Sequence, residues 1–314
     1  MKPLITFACI GLLTTLFLGC SDSSDSEAAK EPEKSTSPSQ TGEPKEDEPE
    51  KPVGQPAAEI TNPAQLEAAL RAKNPGYQGG MRVGPGPDSA FGAVMIHDPT
   101  VRDISPLSGL PLDALDLSFC HISDISDLKG MPLTKLFLEG TAVSDISVVK
   151  EMPLEILYLA STRVKDLSPL AGSQTLKQLY LMNTKVTDLT PLKDTKLESL
   201  WLTGSGVTGI GPLKTVPLIS LTLADTKVSD LSPLKGHPTL QRLHVARTDV
   251  TDLTPLEGLK LTRLIFTPNR IKKGIDVARK MNLREIDVEF PPARGGPPMS
   301  PLQFWRRYDA GEFK

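Results

Sequence analysis

A short hydrophobic repeat runs through most of this chain. An apolar–any–apolar triplet recurs ten times, and consecutive triplets begin 21 or 22 residues apart. The triplets are Val94-Met95-Ile96, Leu115-Asp116-Leu117, Leu136-Phe137-Leu138, Leu157-Tyr158-Leu159, Leu179-Tyr180-Leu181, Leu200-Trp201-Leu202, Leu221-Thr222-Leu223, Leu243-His244-Val245, Leu264-Ile265-Phe266 and Ile286-Asp287-Val288. Such alternation predicts a strand whose two apolar residues face inward and whose middle residue faces outward. A unit this short cannot enclose a core alone, so successive units should stack into a solenoid.

Two further apolar columns keep the same phase. The first contains Val101, Ile122, Val143, Val164, Val186, Val207, Val228, Val250 and Ile271. The second contains Leu107, Leu128, Val149, Leu170, Leu192, Leu213, Leu234 and Leu256. Stacking the coils would bury these columns and place the strands in one parallel sheet, about 4.8 Å apart and roughly 45–50 Å across.

One coil therefore reads L-x-L-x-x-T-x-V-x-D-L-x-P-L-x-x-x-P-L-x-x, with small variations, over residues 91–290. This pattern resembles the leucine-rich repeat, and most closely the short bacterial repeats of internalins. The resemblance implies a strand-dominated α/β fold. It would be a leucine-rich-repeat solenoid with a parallel sheet on its concave face, short helical turns on its convex face and helical caps at both ends.

Polar residues also form columns. The resemblance implies Asn at an inward position where this chain mostly has Thr, and where Cys120 stands; we expect Cys120 to be a buried, inert thiol. An acidic column contains Asp103, Asp124, Asp145, Asp166, Asp188, Asp230 and Asp252. Each could accept backbone N–H bonds at the start of a helical turn, or the column could bind calcium; the Ser/Thr-Pro-Leu context favours capping. Gly209 interrupts the column and predicts a looser turn.

Both ends of the repeat carry predicted caps. At residues 60–90, Asn62-Pro63 begins a helical pattern that ends near Asn74, and a Gly/Pro-rich loop should follow from residue 77. At the other end, Gly274 to Asn282 reads as a helix that replaces the convex turn of the last coil. In residues 291–314, a second helix begins at Ser300, and its aromatic residues would cover the final coil or bind a partner.

The N-terminus has the composition of an export signal. Residues 1–20 contain Lys2, an apolar run and then Gly19-Cys20, a stretch short for a permanent membrane helix. Residues 17–20 resemble the lipobox of bacterial lipoproteins, although Phe17 stands where that family prefers Leu. The resemblance implies cleavage before Cys20, its lipidation and an outer-membrane location, periplasmic or surface-facing. Ordinary secretion and an uncleaved anchor are the alternatives.

Residues 21–59 have the composition of a disordered tether. They contain 11 Asp or Glu, 4 Lys and 6 Pro, and no aromatic residue. Such a segment cannot bury enough apolar surface to fold, so it should hold the folded part away from a membrane.

The outward middle residues of the strands include four successive aromatic side chains: Phe137, Tyr158, Tyr180 and Trp201. They could form a cross-strand ladder or a docking surface, and both could hold. Arg242, His244 and Arg263 lie beside them and could meet carboxylates. These seven residues form the predicted ligand-binding set.

The sequence favours a binding module over an enzyme. The four His residues have no metal-ligand spacing, no nucleophile or phosphate-binding motif is present, and no cofactor is expected. A net charge of −3 gives no reason to expect nucleic acid as a partner. We expect a monomer, anchored in the membrane through its lipid, that binds a protein or peptide. A glycan- or peptidoglycan-binding lipoprotein and a structural spacer of the envelope are the alternatives.

Overall fold

The computed structural model describes residues 60–86, 89–290 and 296–313. The predicted leader 1–20, the tether 21–59 and Cys20 lie outside these residues, as do residues 291–295 of the second cap. Within the described residues the chain forms one continuous sheet along a stack of coils. No helix in these residues has the length and apolar character needed to cross a membrane.

The sheet has eleven strands in chain order within the described residues, and each strand is three residues long. The strands are β1 (Arg82–Gly84), β2 (Ala93–Met95), β3 (Ala114–Asp116), β4 (Lys135–Phe137), β5 (Ile156–Tyr158), β6 (Gln178–Tyr180), β7 (Ser199–Trp201), β8 (Ser220–Thr222), β9 (Arg242–His244), β10 (Arg263–Ile265) and β11 (Glu285–Asp287). From β2 to β11 every neighbouring pair is parallel. Leu136, Leu157 and Leu179 are register partners and fully buried, which confirms the predicted stacking.

Short 3₁₀ helices connect the strands on the opposite side of the coils. A further 3₁₀ helix, Pro268–Arg270, begins three residues after β10 ends and does not belong to this convex series. The convex 3₁₀ helices span Ser105–Leu107, Ser126–Leu128, Ser147–Glu151, Ser168–Leu170, Thr190–Leu192, Gly211–Thr215, Ser232–Leu234 and Thr254–Leu256. Their Leu or Val residues close the core from the convex side. The solenoid predicted from the periodicity, and the leucine-rich-repeat architecture that the resemblance implies, are therefore confirmed.

Two local predictions were wrong. The Gly/Pro-rich segment after residue 77 is not all loop, because β1 pairs antiparallel with β2, from Arg82 opposite Met95 to Gly84 opposite Ala93. β2 would otherwise expose a row of unpaired backbone groups, and the added strand satisfies them. The coil that contains Gly209 is not looser, since its turn Gly211–Thr215 is a regular 3₁₀ helix. Buried Ile210 and Leu213 hold this turn in place, although Gly209 stands where the neighbouring coils have an Asp of the acidic column.

Helices cover both ends of the core. Helix α1 (Pro63–Lys73) begins at Asn62, whose side chain accepts a hydrogen bond from Gln65 N, and it buries Leu66 and Leu70. At the other end lie α2 (Ile275–Lys280) and α3 (Pro301–Asp309). Ser300 and Gln303 form a capping box at the start of α3, and Phe304 packs 5.6 Å from Phe266, measured between ring centroids.

Candidate binding surface

The outward side chains of the strands form the concave face, opposite the 3₁₀ helices. Because neighbouring strands are in register, the middle residues of successive coils lie one strand spacing apart in a single column. Among the described residues this column reads Met95, Asp116, Phe137, Tyr158, Tyr180, Trp201, Thr222, His244, Ile265 and Asp287. Parallel pairing therefore brings together residues that are separated by more than 20 positions in the chain.

Four rings of this column stack on one another and are called the aromatic ladder here: Phe137, Tyr158, Tyr180 and Trp201. The ring centroids are 6.1 Å apart for Phe137 and Tyr158, with an interplanar angle of 29°. The separation falls to 4.3 Å for Tyr158 and Tyr180 and to 4.1 Å for Tyr180 and Trp201, where the rings are 5° from parallel. Tyr180 also donates its hydroxyl to Gln178 Oε1 at 3.0 Å. The ladder predicted from the sequence is present.

The side chains of the aromatic ladder are less exposed than simple alternation of inward and outward residues suggests. Phe137, Tyr158 and Tyr180 are 1%, 3% and 9% exposed, whereas Trp201 is half-buried. Both faces of Tyr158 and Tyr180 are occupied by neighbouring rings. The ring that remains accessible at the end of the stack is therefore Trp201.

His244 lies two strands beyond Trp201 and is also buried. Its Nε2 atom has no hydrogen-bond partner within the described part of the chain. Burial lowers the pKa of His244 to about 4, and the positive charges of Arg247 and Arg263 act in the same direction. The imidazole is therefore neutral at physiological pH, and it offers one polar atom that no described residue satisfies.

The arginines near His244 differ in their pairing. Arg263 forms an ion pair with Glu285, and its guanidinium lies 4.7 Å from the centroid of the Phe290 ring. Arg247 makes a two-point ion pair with Asp225, with both N···O distances at 2.6 Å. Arg242 is exposed and makes no ion pair with any residue that the structure describes. Of the predicted pair Arg242 and Arg263, Arg242 is thus the one left to meet an external carboxylate.

Two carboxylates that alternation places on the concave face are fully buried and serve the structure. Asp116 Oδ1 accepts from Ser118 N at 2.9 Å, and its Oδ2 lies 2.8 Å from His97 Nε2. Asp287 accepts from Val288 N at 2.8 Å and from Met299 N at 3.2 Å. Sequence reasoning missed this role because one partner of each Asp is distant in the chain: His97 lies in the preceding coil and Met299 in the cap. The position of both Asp residues near the ends of the repeat is the signal that could have indicated it.

The acidic column lies at the starts of the convex turns. Each of its seven Asp residues accepts a hydrogen bond through Oδ1 from the backbone N two residues ahead, over 2.7–2.9 Å. Hydrogen bonds from Ser168 lower the pKa of Asp166, and those from Thr190 lower the pKa of Asp188. These contacts are the predicted caps. In the stretches covered by the structure, no cluster of three or more His, Cys, Asp or Glu side chains could hold a metal ion.

Cys120 occupies the inward position expected of it. It is fully buried, and its thiol donates to Ile96 O over 3.2 Å. Burial raises the pKa of the Cys120 thiol to about 11. The thiolate, which is the nucleophilic form, is therefore scarce at neutral pH, as expected for an inert structural cysteine.

Comparison with known proteins agrees with this architecture. Residues 154–194 match the family model described as leucine-rich repeats in two copies. No curated protein sequence matches the chain. Among solved structures, an internalin C2 from Listeria monocytogenes is 26% identical, with a TM-score of 0.54, and the match covers 66% of this chain and 93% of that one.

Two further structures resemble the chain. An internalin (inlF) from the same bacterium is 25% identical with a TM-score of 0.50; the match covers 60% of this chain and 64% of the internalin, less than two thirds of its length. A plant ice-binding protein has a TM-score of 0.52 at 14% identity, covering 71% of this chain and 84% of that one, and this likeness concerns the fold alone. The protein is thus a leucine-rich-repeat solenoid similar to the internalins, built on a fold that is commonly a protein–protein interaction module.

Proposed function

We propose that this chain is a membrane-anchored, non-enzymatic binding module of the bacterial envelope, which recognises a protein partner on its concave face. The observation that carries the proposal is the aromatic ladder on consecutive strands of the sheet, which ends in the accessible ring of Trp201. Tyrosine and tryptophan are favoured interface anchors because they combine large rigid area with a polar edge. A preformed surface also loses little conformational freedom on binding.

The stacking geometry favours a protein over a glycan. Sugars bind aromatic side chains through an open ring face, but both faces of Tyr158 and Tyr180 are occupied by neighbouring rings. Trp201 alone keeps part of its ring accessible among the four ladder residues. A protein partner can use the surrounding polar groups as well, including exposed Arg242.

Co-purification from the native membrane tests the concave face. The full chain with a C-terminal tag would be captured from solubilised envelope as wild type, as Trp201→Ala and as Lys235→Ala, the last a control on the exposed convex side. We expect a stoichiometric partner that the wild type and Lys235→Ala retain and Trp201→Ala loses. Equal recovery with all three proteins would contradict recognition by the concave face, and retention of peptidoglycan fragments alone would favour the glycan alternative. The absence of any bound component would leave a spacer as the better account.

Lipid attachment at Cys20 is the proposed anchor. Two or three acyl chains on one residue exceed what stable membrane attachment requires. Mass spectrometry of the mature N-terminus should find an acylated Cys20 in the outer-membrane fraction. Cys20→Ser should abolish the modification and release the protein from the membrane, whereas Cys9→Ser, within the leader, should leave both unchanged. An acyl-bearing N-terminus on the Cys20→Ser protein would refute the assignment.

A further inference from the structure

A cleft of about 600 Å³ lies on the convex side of the solenoid, between the turns of two successive coils. It is bordered by the 3₁₀ helices Ser126–Leu128 and Ser147–Glu151, and we call it the convex cleft. Its volume lies in the range of small-molecule sites in proteins. None of its lining residues belongs to the aromatic ladder, so it is a surface separate from the concave face.

The two coils that form the convex cleft depart from the repeat. The second residue of the turn is Asp127 in one coil and Val148 in the other. In the remaining convex turns that the structure describes it is a proline: Pro106, Pro169, Pro191, Pro212, Pro233 and Pro255. Proline has no backbone N–H. The convex cleft therefore lies where the turns keep a donor that the others lack.

One end of the convex cleft has two oriented carboxylates. Asp124 and Asp145 hold equal positions in neighbouring coils, and their Oδ1 atoms accept from Ser126 N at 2.8 Å and from Ser147 N at 2.7 Å. Hydrogen bonds from Ser126 also lower the pKa of Asp124, so this group is ionised at neutral pH. Both Asp residues are exposed. This end of the cleft therefore favours a cationic group.

The other end of the convex cleft has two ammonium groups. Lys129 and Lys150 follow the two Asp residues by five positions, and both are exposed. Neither makes an ion pair with any residue in the described ranges. Glu151 lines the same end, so two Lys and one Glu give it a net charge of +1. This end therefore favours an anionic group.

Opposite charges are thus separated along the length of the convex cleft. Five residues of 3₁₀ geometry rise about 10 Å. An unblocked peptide of three extended residues has its ammonium and carboxylate ends about 10 Å apart as well. Between the two ends, the lining includes Ser147, with its hydroxyl group, and the apolar side chains of Ile125 and Val148. The cleft therefore matches a short peptide in charge, length and polarity.

We propose that the convex cleft binds a short free peptide of about three residues. Its ammonium terminus meets Asp124 and Asp145, and its carboxylate terminus meets Lys129 and Lys150. Both termini must be unblocked, because each meets charges that the described part of the chain leaves exposed. A ligand with one sign of charge alone would meet like charge at one end of the cleft. This site is independent of the partner proposed for the concave face.

Calorimetric titration of the full chain tests the convex cleft. The probes are trialanine, its N-acetyl form, its C-terminal amide and pentaalanine. We expect saturable one-to-one binding of trialanine, weakened about fivefold by blocking either terminus, which is the upper range for an exposed ion pair. Pentaalanine, with its ends about 17 Å apart, should also bind more weakly. Equal affinities for free and blocked peptides, or no saturable binding of trialanine, would overturn the proposal.

Two double substitutions provide a matched comparison. Lys129→Gln with Lys150→Gln should remove the preference for trialanine over its amide. Lys193→Gln with Lys214→Gln should leave it unchanged, because these lysines hold the same positions in coils without the cleft, one of them the coil of Gly209. An equal loss in both proteins would show general attraction to surface charge and refute the site. Trp201→Ala should bind trialanine like the wild type, so a failure of the concave-face proposal leaves this test intact.

Discussion

In seven successive coils, one residue holds a left-handed backbone conformation at the position where the chain leaves the concave face. The residues with positive φ in this column are Phe119, Gly140, Ser161, Asn183, Gly204, Asp225 and Arg247. For a non-glycine residue this conformation costs roughly 1–2 kcal/mol. Its recurrence at the repeat period shows that the packing of neighbouring coils outweighs a local cost at each step.

Gly140 tests how closely neighbouring coils pack in this column. Its φ is 69°, and a Cβ added there would lie 2.8 Å from Phe119 Cδ1. We expect Gly140→Ala to lower the free energy of unfolding by about 2 kcal/mol, from backbone strain and the clash together. Urea denaturation measures this difference.

Gly109→Ala separates the backbone strain from the clash with Phe119. Gly109 has a similar φ of 72°, but no atom lies within 4 Å of an added Cβ, so only the backbone cost of about 1 kcal/mol should remain. Adding Phe119→Ala to Gly140→Ala should recover the part that the clash contributes. Equal losses at Gly109 and Gly140 would show that the contact with Phe119 is without consequence.

His244 predicts a pH dependence of stability. Its pKa falls from 6.5 to about 4 in the folded protein because of burial, with Arg247 and Arg263 adding to the effect of burial. The unfolded chain therefore binds a proton at a pH where the folded chain does not, and protonation favours unfolding. The stability is complete above about pH 6.5 and falls by up to about 3 kcal/mol as the pH approaches 4.

Urea denaturation at about pH 7 and about pH 4.5 measures this loss. His244→Gln should lose less stability than the wild type over the same interval, because Gln does not titrate there. His237 shifts in the same direction through burial, so the difference between the two proteins, not the total change, isolates His244. An identical pH dependence in both proteins would contradict the buried neutral imidazole.

At the scale of the element, each strand has only three residues, and it keeps its extended conformation because neighbouring strands pair with it. Among the described convex turns, all but the one after Gly209 are preceded by an Asp that accepts a backbone N–H at the start of the 3₁₀ helix. The Gly209 coil keeps the same turn, because its apolar residues are in place. The cap thus strengthens an element that packing already specifies.

Restoring the cap at position 209 should stabilise the protein. An added Cβ there would meet no atom within 4 Å, and the backbone is not left-handed. We expect Gly209→Asp to raise the free energy of unfolding by about 1.5 kcal/mol, because the new carboxylate can accept from Gly211 N and the unfolded chain loses the freedom of a glycine. Thermal and urea denaturation measure the gain.

Gly209→Ala is the control, because it removes the glycine without adding a carboxylate. Gly209→Ala should raise the free energy of unfolding by only about 0.4–1 kcal/mol, the part that comes from restricting the unfolded chain. If Asp and Ala stabilise equally, the carboxylate does not cap the turn. A loss of stability with both substitutions would mean that the turn needs glycine for its backbone geometry.

At the scale of the whole molecule, the repeat region requires its ends to be covered. A solenoid coil contacts only its neighbours, so the last coil exposes its apolar residues unless another element packs on them. Helix α3 does so with Phe304, which is fully buried. Leu302 of the same helix is 72% exposed and takes no part in this contact.

Phe304→Ala should loosen the C-terminal coils first. We expect a loss of about 3–5 kcal/mol in local stability there, because a large buried side chain is removed. Hydrogen exchange should show lost protection in β10 and β11 while β5 and β6 keep theirs. Leu302→Ala should leave the exchange pattern unchanged. Uniform loss of protection in all strands would show that the solenoid unfolds as one unit and not from its ends.

The sequence alone determined the repeat, the order of the strands and the identity of the core. A period of 21 or 22 residues places Leu136, Leu157 and Leu179 at the same point of successive coils, and stacking is the arrangement that buries all three. The aromatic ladder followed from the same register. The antiparallel strand β1 did not, because it has no periodic signal and forms only where β2 leaves an edge unpaired.

Only the tertiary structure decided which concave residues are available to a partner. Alternation turns Asp116, Tyr158, Trp201 and His244 to the same face, but it carries no information about what packs beside them. Asp116 is buried beside His97, and Asp287 bonds the backbone of Met299, a residue of the cap. Burial depends on neighbours that are distant in the chain, whereas side-chain direction depends on the local backbone. For that reason the position of the concave face was predictable from the sequence, and the accessibility of Trp201 at the end of the aromatic ladder was not.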